Sequence, residues 1–349
     1  MKKYLILLII INSFSLLNSA PIEEGFAKTI AIKFLKQNIA LQDTNLVILA
    51  YKENIRNESN NKTIAGYYVF NYSNSSFVII AGDDASKPIL GYSFENKFDA
   101  TNIPESAIYW LNNYKQEINY IVNNGITQTP KIKEEWDEIN SKNSYKYKIQ
   151  AGVTPLVKSK WSQSPYYNDL CPYDERAKTR AVTGCVATAM AQIMRYWGYP
   201  TMGSGFHSYT HPLYGTLSAN FAATYYDWNN MPDALSGPNL PVATLMYHCG
   251  VSVDMGYGVG GSGAAGSIVV APALIQYFNY SSSLSIKDRN SYSYTDWTNL
   301  LKEELLFGRP IYYQGYGNVG GHAFVCDGFN DGNFFHFNWG WGGASDGYF

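Results

Sequence analysis

The chain opens with Met-Lys-Lys, then an apolar run from Tyr4 to Leu17 broken only by Asn12, Ser13 and Ser15, then Asn18-Ser19-Ala20. This three-part layout predicts a secretory signal peptide over 1–20, because the run falls short of the roughly 18 to 20 uninterrupted apolar residues a spanning helix needs. Pro21 is awkward at the residue after such a cleavage site. Phe26, Ile30 and Phe34, with Ala27, Ala31 and Leu35, then recur at i, i+4 and i+8 and predict an amphipathic helix. Leu46–Tyr51, Tyr67–Tyr72 and Ser76–Ala81 are β-branched or aromatic runs that read as strands. Pro104 and Glu105 open a second helix with Ala107, Leu111, Tyr114, Ile118 and Ile121 on one face, and Asn124-Gly125 closes it. A small α+β module over 21–125 is expected. Residues 126–151 are Lys, Glu, Asn and Ser-rich, the composition of an exposed linker, with a processing site expected near Tyr145–Gly152.

Beyond residue 151 the pattern changes. Val186, Met190, Ile193 and Trp197 keep helical spacing behind Gly184, and 25 of the 30 glycines fall in this half. All five His and all four Cys lie there too, so any chemistry belongs to the second part. Over the 349 residues, 46% hydrophobic and 15% charged content excludes a disordered polymer. A formal charge of -2 gives no cationic field for nucleic acid. No later segment is long and apolar enough to span a bilayer, so no stable membrane span is expected after signal cleavage. Four cysteines without a C-x-x-C pair suit neither a disulfide scaffold nor structural zinc. His207 and His211 are four apart, but Tyr-Thr-His-Pro reads as a turn, so no metal and no cofactor are expected. Cys171, Cys249 and Cys326 read as structural thiols, and His248 and His336 as packing residues.

Cys185 sits where a helix begins. Free backbone N–H groups and the positive end of the helix dipole there favour thiolate over thiol. Position alone leaves Cys185 open between a nucleophile and a small buried hydrophobe. Gly320-Gly321-His322-Ala323-Phe324-Val325 puts a histidine 137 residues downstream, at the mouth of a strand. Phe337-Asn338-Trp339-Gly340-Trp341-Gly342-Gly343 adds an amide that can fix an imidazole tautomer and indoles that can shield that bond from water. The Gly258–Gly266 segment lacks the Lys-Ser/Thr pattern of a phosphate loop, which leaves a close approach to a peptide backbone or a plain surface loop.

Several of these segments, in this order, resemble the streptopain family of secreted bacterial papain-like cysteine proteases: residues 184–194, 250–258 and 320–325, extended by Tyr312-Tyr313-Gln314-Gly315 and the Trp-rich motif. More loosely, Gly82-Asp83-Asp84 and Ile89-Leu90-Gly91-Tyr92-Ser93 resemble that family's inhibitory propeptide. The resemblance implies an α+β fold, with a papain-like catalytic domain over 152–349 behind the small propeptide domain. That catalytic domain is expected to be incomplete at its C-terminus, leaving an unpaired sheet edge. The resemblance makes Cys185 the nucleophile and His322 the general base and acid, and it makes Gln163 an oxyanion donor, against a surface glutamine as the alternative. Asn338, Trp339 and Trp341 are assigned as a group to orient His322, and Ala264 and Gly321 to contact substrate. The implied function is a secreted endopeptidase made as a zymogen, acting on protein or peptide substrates and inhibited by its own propeptide. A thiol acyltransferase of transglutaminase type and a catalytically silent binding protein are the alternatives.

Overall fold

The computed structural model describes residues 19–141, 152–317, 320–330 and 332–349. Most of the expected signal peptide and nearly all of the expected processing segment lie outside them. Helix α1 (Glu24–Asn38) buries Ala27, Ile30, Ala31, Phe34 and Leu35 of the face its spacing predicts, while Phe26 at its start stays exposed. An antiparallel meander follows: β1 (Val47–Asn57), β2 (Lys62–Tyr72), β3 (Ser76–Ala81) and β4 (Ile89–Ser93). Every residue of β3 is buried, so both of its faces are covered. Helix α2 (Glu105–Asn123) packs on β1 and β2 through a face that includes Leu111 and Ile118.

The stretch that reads as linker holds a helix, α3 (Pro130–Asn140). Thr129 caps it by accepting from the Ile132 N–H, and Pro130 occupies the first turn, where no N–H is needed. Only Trp136 and Ile139 are buried, and the Trp136 indole donates to the Ser86 carbonyl. Two anchors suffice because α3 is short and lies on α1. The polar remainder of its sequence hides them from a reading by composition.

In the second half, a two-residue hairpin, β5 (Tyr173–Asp174) and β6 (Thr179–Arg180), precedes α4 (Cys185–Trp197). Residues Val186 to Met194 are all buried, with α4 held between α5 (Leu240–Ser252) and the later sheet. The hairpin β7 (Phe206–His211) and β8 (Gly215–Asn220) takes up the two histidines that read as a turn. In it His207 Nε2 meets Asp254 Oδ1 at 2.6 Å, while His211 Nδ1 accepts backbone N–H groups from Leu213 and Tyr214. Helices α6 (Ser267–Phe278) and α7 (Tyr294–Leu306) lead to β9 (Ile311–Gly317), β10 (Gly320–Phe329), β11 (Phe335–Asn338) and β12 (Gly347–Tyr348).

The two halves share one eight-stranded sheet, ordered β1-β2-β3-β4-β12-β11-β10-β9, antiparallel throughout. The β12 strand pairs with β11 on one side and with β4 on the other, through Tyr348 opposite Tyr92. The Tyr92 and Tyr348 rings stack at 5.1 Å, and Asn330 donates to the Tyr92 hydroxyl. The β12 strand is thus flanked on both sides, and β1 and β9 form the edges of the sheet. One hydrophobic core runs across both halves, from Phe34 and Tyr92 to Phe324, Phe337, Trp339 and Phe349, and a second gathers around α4 and α5. The architecture is α+β, as expected. Among the described residues no helix is long and apolar enough to cross a membrane.

Candidate active site

Cys185 is delivered by a turn that only glycine makes without strain. Gly184 has φ +86°, and a Cβ there would stand 2.8 Å from the Ser262 carbonyl oxygen and 3.0 Å from Met255 Sδ. Around that turn three segments are stitched together. Thr183 N–H donates to the Gln163 carbonyl at 3.2 Å, and Val182 N–H to the Gly258 carbonyl at 3.2 Å. Ser262 Oγ donates to the Val182 carbonyl at 2.6 Å and accepts from Gly258 N–H at 3.0 Å. The glycine-rich loop therefore braces the entry to α4.

Strand β10 brings the histidine segment to the thiol, but not the imidazole itself. Ala323 N–H donates to Cys185 Sγ at 3.5 Å. The His322 ring turns to the first residue of α2, with Nδ1 3.5 Å from Glu105 Oε2, and its Nε2 is buried without a partner. No hydrogen bond joins His322 to Cys185 in this state. Burial pushes the Cys185 thiol up from its ordinary value, and Glu105 adds to the rise. The N–H groups of Ala323, Val186 and Cys185 itself pull the other way and are outweighed. The helix-terminus effect that predicts a thiolate is present, yet in this closed arrangement desolvation wins.

Gln163 lies two residues after Trp161, half-buried, and its side-chain amide hydrogen-bonds to none of the described residues. The Trp-rich motif is used differently from the expectation. Asn338 Oδ1 accepts from Gln192 Nε2 at 2.9 Å and from Gly340 N–H at 3.0 Å, and its Nδ2 donates to the Ser159 carbonyl at 2.8 Å. It is fully engaged away from His322. Trp339 is core, packed on Phe324, Phe337 and Phe349, with its indole donating to the Ser345 carbonyl. Trp341 is half-buried against the same core. Ala264 is half-buried beside the second core, and the Tyr316 ring stands 2.7 Å from where a Cβ on Gly321 would be.

Three participants escaped the sequence reading. Gln192 had a signal: it lies seven residues after Cys185, hence on nearly the same helix face, and is an amide in a mostly apolar run. Glu105 had none, since only the fold brings α2 to β10. His336 is more than a packing residue. Its Nδ1 meets Asp327 Oδ1 at 2.6 Å and its Nε2 lies 3.5 Å from Glu95 Oε1, contributed by the first half. Burial works against its charge, but Asp327 and Glu95 overcome it and raise the imidazole to about 10. The remaining thiols Cys171, Cys249 and Cys326 are free and buried.

A thiol at a helix start, a histidine strand beside it, and a preceding domain whose Glu105 reaches that histidine fit a cysteine peptidase in precursor form. Comparison with known proteins gives the same class. Residues 161–349 match the Peptidase C10 family and residues 19–118 the Spi protease inhibitor family. The chain is 35% identical to streptopain of Streptococcus pyogenes over 378 aligned residues, covering 99% of this chain and 90% of that one. It is likewise 35% identical to the thiol protease/hemagglutinin PrtT of Porphyromonas gingivalis, over 81% of this chain and 33% of that protein. Among solved structures, prointerpain A of Prevotella intermedia superposes with a TM-score of 0.67 at 34% identity, covering 86% of this chain and 91% of that one. The chain belongs to the Peptidase C10 family. It is a thiol peptidase carried behind an inhibitor-like domain, a cysteine protease zymogen.

Proposed function

We propose that Cys185 is the nucleophile and His322 its proton partner in hydrolysis of peptide bonds. Once His322 is released from Glu105, its imidazole takes the thiol proton and Cys185 Sγ attacks the scissile carbonyl. The resulting oxyanion is held by the Cys185 N–H and the Gln163 side-chain amide, a type of interaction worth about 3 to 4 kcal/mol per donor. His322 then protonates the departing amine, and water hydrolyses the thioester by the same route in reverse. The Gly258–Gly266 loop with Ala264, and Gly321 on β10, would line the path of the substrate backbone. Asn338, Trp339 and Trp341 would support the His322 strand from behind.

Residues 21–125 act as an intramolecular inhibitor in this reading, and cleavage within 126–151 removes it. Residues 1–20 direct the precursor out of the cell. The observation that carries the proposal is the contact of Glu105 with His322, beside a Cys185 Sγ that accepts from the Ala323 N–H. Tethering raises an inhibitor's effective concentration to about millimolar, so a modest interface holds the site closed until the chain is cut. The test is Cys185→Ala in the full chain, with processing followed by gel and folding by circular dichroism. A folded precursor that never processes itself is expected, and processing at the normal rate would remove Cys185 from the role.

A further inference from the structure

We infer that Gln192 is a positioning residue that sets the oxyanion-stabilising amide of Gln163, an inference that rests on the reading of Gln163 given above. Gln192 is wholly buried on α4, two turns beyond Cys185. Its Oε1 accepts from Trp161 N–H at 3.2 Å and from Ser159 Oγ at 3.1 Å, and its Nε2 donates to Asn338 Oδ1 at 2.9 Å. Asn338 closes the ring by donating to the Ser159 carbonyl at 2.8 Å.

Both amide orientations follow from chemistry, because the Trp161 N–H can only donate and the Ser159 carbonyl can only accept. The segment 159–163 is therefore fastened at two points, once to the helix that carries the thiol and once to the turn that enters it. Gln192 holds Trp161 N–H from below, and Thr183 N–H, two residues before Cys185, holds the Gln163 carbonyl. Trp161 is also gripped on its other side, its carbonyl accepting from Gly342 N–H at 3.0 Å and its indole donating to the Pro232 carbonyl at 2.8 Å. Between these fixed points only Ser162 and the Gln163 side chain are left to adjust. Helix α4 and its entry turn together thus set the spacing between Cys185 and the Gln163 segment.

This buried polar ring is the part of the core whose loss would be felt at the reacting carbonyl. An error of about 1 Å in a positioned group costs up to about a hundredfold in rate. Gln192→Met keeps the volume and removes every hydrogen bond. In enzyme matured from the full chain and assayed on a fluorogenic peptide, it is expected to lower kcat on the order of tenfold to a hundredfold, while KM stays within about twofold. Alkylation of Cys185 by iodoacetamide develops no oxyanion and is expected to be unchanged. On a Gln163→Ala background the same substitution is expected to change kcat by less than about twofold, since residues acting as one unit are not additive.

Unchanged kcat in Gln192→Met, an equal loss in alkylation, or losses that multiply with Gln163→Ala would each overturn the inference. Wild-type kcat in Gln163→Ala alone would remove the oxyanion reading and the inference with it, and that result is read from the single variant. Should Gln192→Met fail to fold, Gln192→Glu carries the test. Its protonated carboxyl accepts from Trp161 N–H and donates to Asn338, so kcat is expected to fall as the pH rises through its titration. Gln163→Ala should abolish that pH dependence, and its persistence would count against the inference.

Discussion

The thiol of Cys185 is under two opposed influences in the precursor, and maturation changes their balance. Burial and Glu105 raise its pKa, while three backbone N–H groups lower it. Removing the first domain takes away Glu105 but leaves the helix N-terminus in place. Iodoacetamide alkylation of the precursor is therefore expected to need pH above the usual thiol range, with the mature enzyme's profile shifted to lower pH. Identical profiles would mean that the first domain does not control the thiol. His322→Ala should cost nearly as much activity as Cys185→Ala, and the double variant little more, because nucleophile and base work as a unit. Glu105 is mostly exposed, so its pair with His322 is worth at most about 1 kcal/mol. Glu105→Ala should accordingly speed self-processing by no more than about fivefold. Gly184 and the Gly320-Gly321 pair are local signals that single out Cys185 and His322 as candidates, while position alone leaves Cys185 open and their roles come from the family resemblance. Glu105 was not legible, since its partner lies on a strand more than 200 residues away in sequence.

Elements with a sustained period were legible in outline. α1, α2 and α4 largely follow their apolar spacing, although Trp197 at the end of α4 is exposed, and β1 to β3 contain the runs that announce them but for Leu46, which precedes β1. The β12 strand, two residues long, could not be read, since a period of two needs more length than that. Helix α3 was hidden for the opposite reason, its many charges diluting two buried anchors. Trp136 is the stronger anchor, at 5% exposure and with its indole hydrogen-bonded. Trp136→Ala is expected to cost about 3 kcal/mol or more, in the range of buried aromatic deletions. Urea denaturation of the Cys185→Ala precursor would measure that loss, and protease sensitivity gained within 126–141 would locate it. A stability change below about 1 kcal/mol would mean that α3 is not held by this anchor.

At the scale of the whole molecule, the seam between the domains carries charge as well as apolar surface. The His336 imidazolium, aided by Lys160, holds Glu95 down to about 2 despite its burial. A carboxylate depressed in the folded state contributes stability that is present above the usual carboxylate range and is lost as pH falls toward about 2. Mild acid alone is therefore not expected to open this seam. In the Cys185→Ala precursor, Glu95→Gln should lower the urea midpoint at neutral pH, and the difference from the parent should shrink as the pH drops through the acid range. A difference that grows with acid would contradict the pairing.

The sheet that runs unbroken from β1 to β9 also determines how the precursor comes apart under heat. Separate domains joined by a tether melt as separate steps, whereas strands hydrogen-bonded across the seam, with one apolar core beneath them, lose their order together. Differential scanning calorimetry of the precursor should give a single endotherm with equal calorimetric and van't Hoff enthalpies. A chain nicked between the domains should instead have a midpoint that falls as the protein is diluted, because its halves have become two molecules that part on dilution.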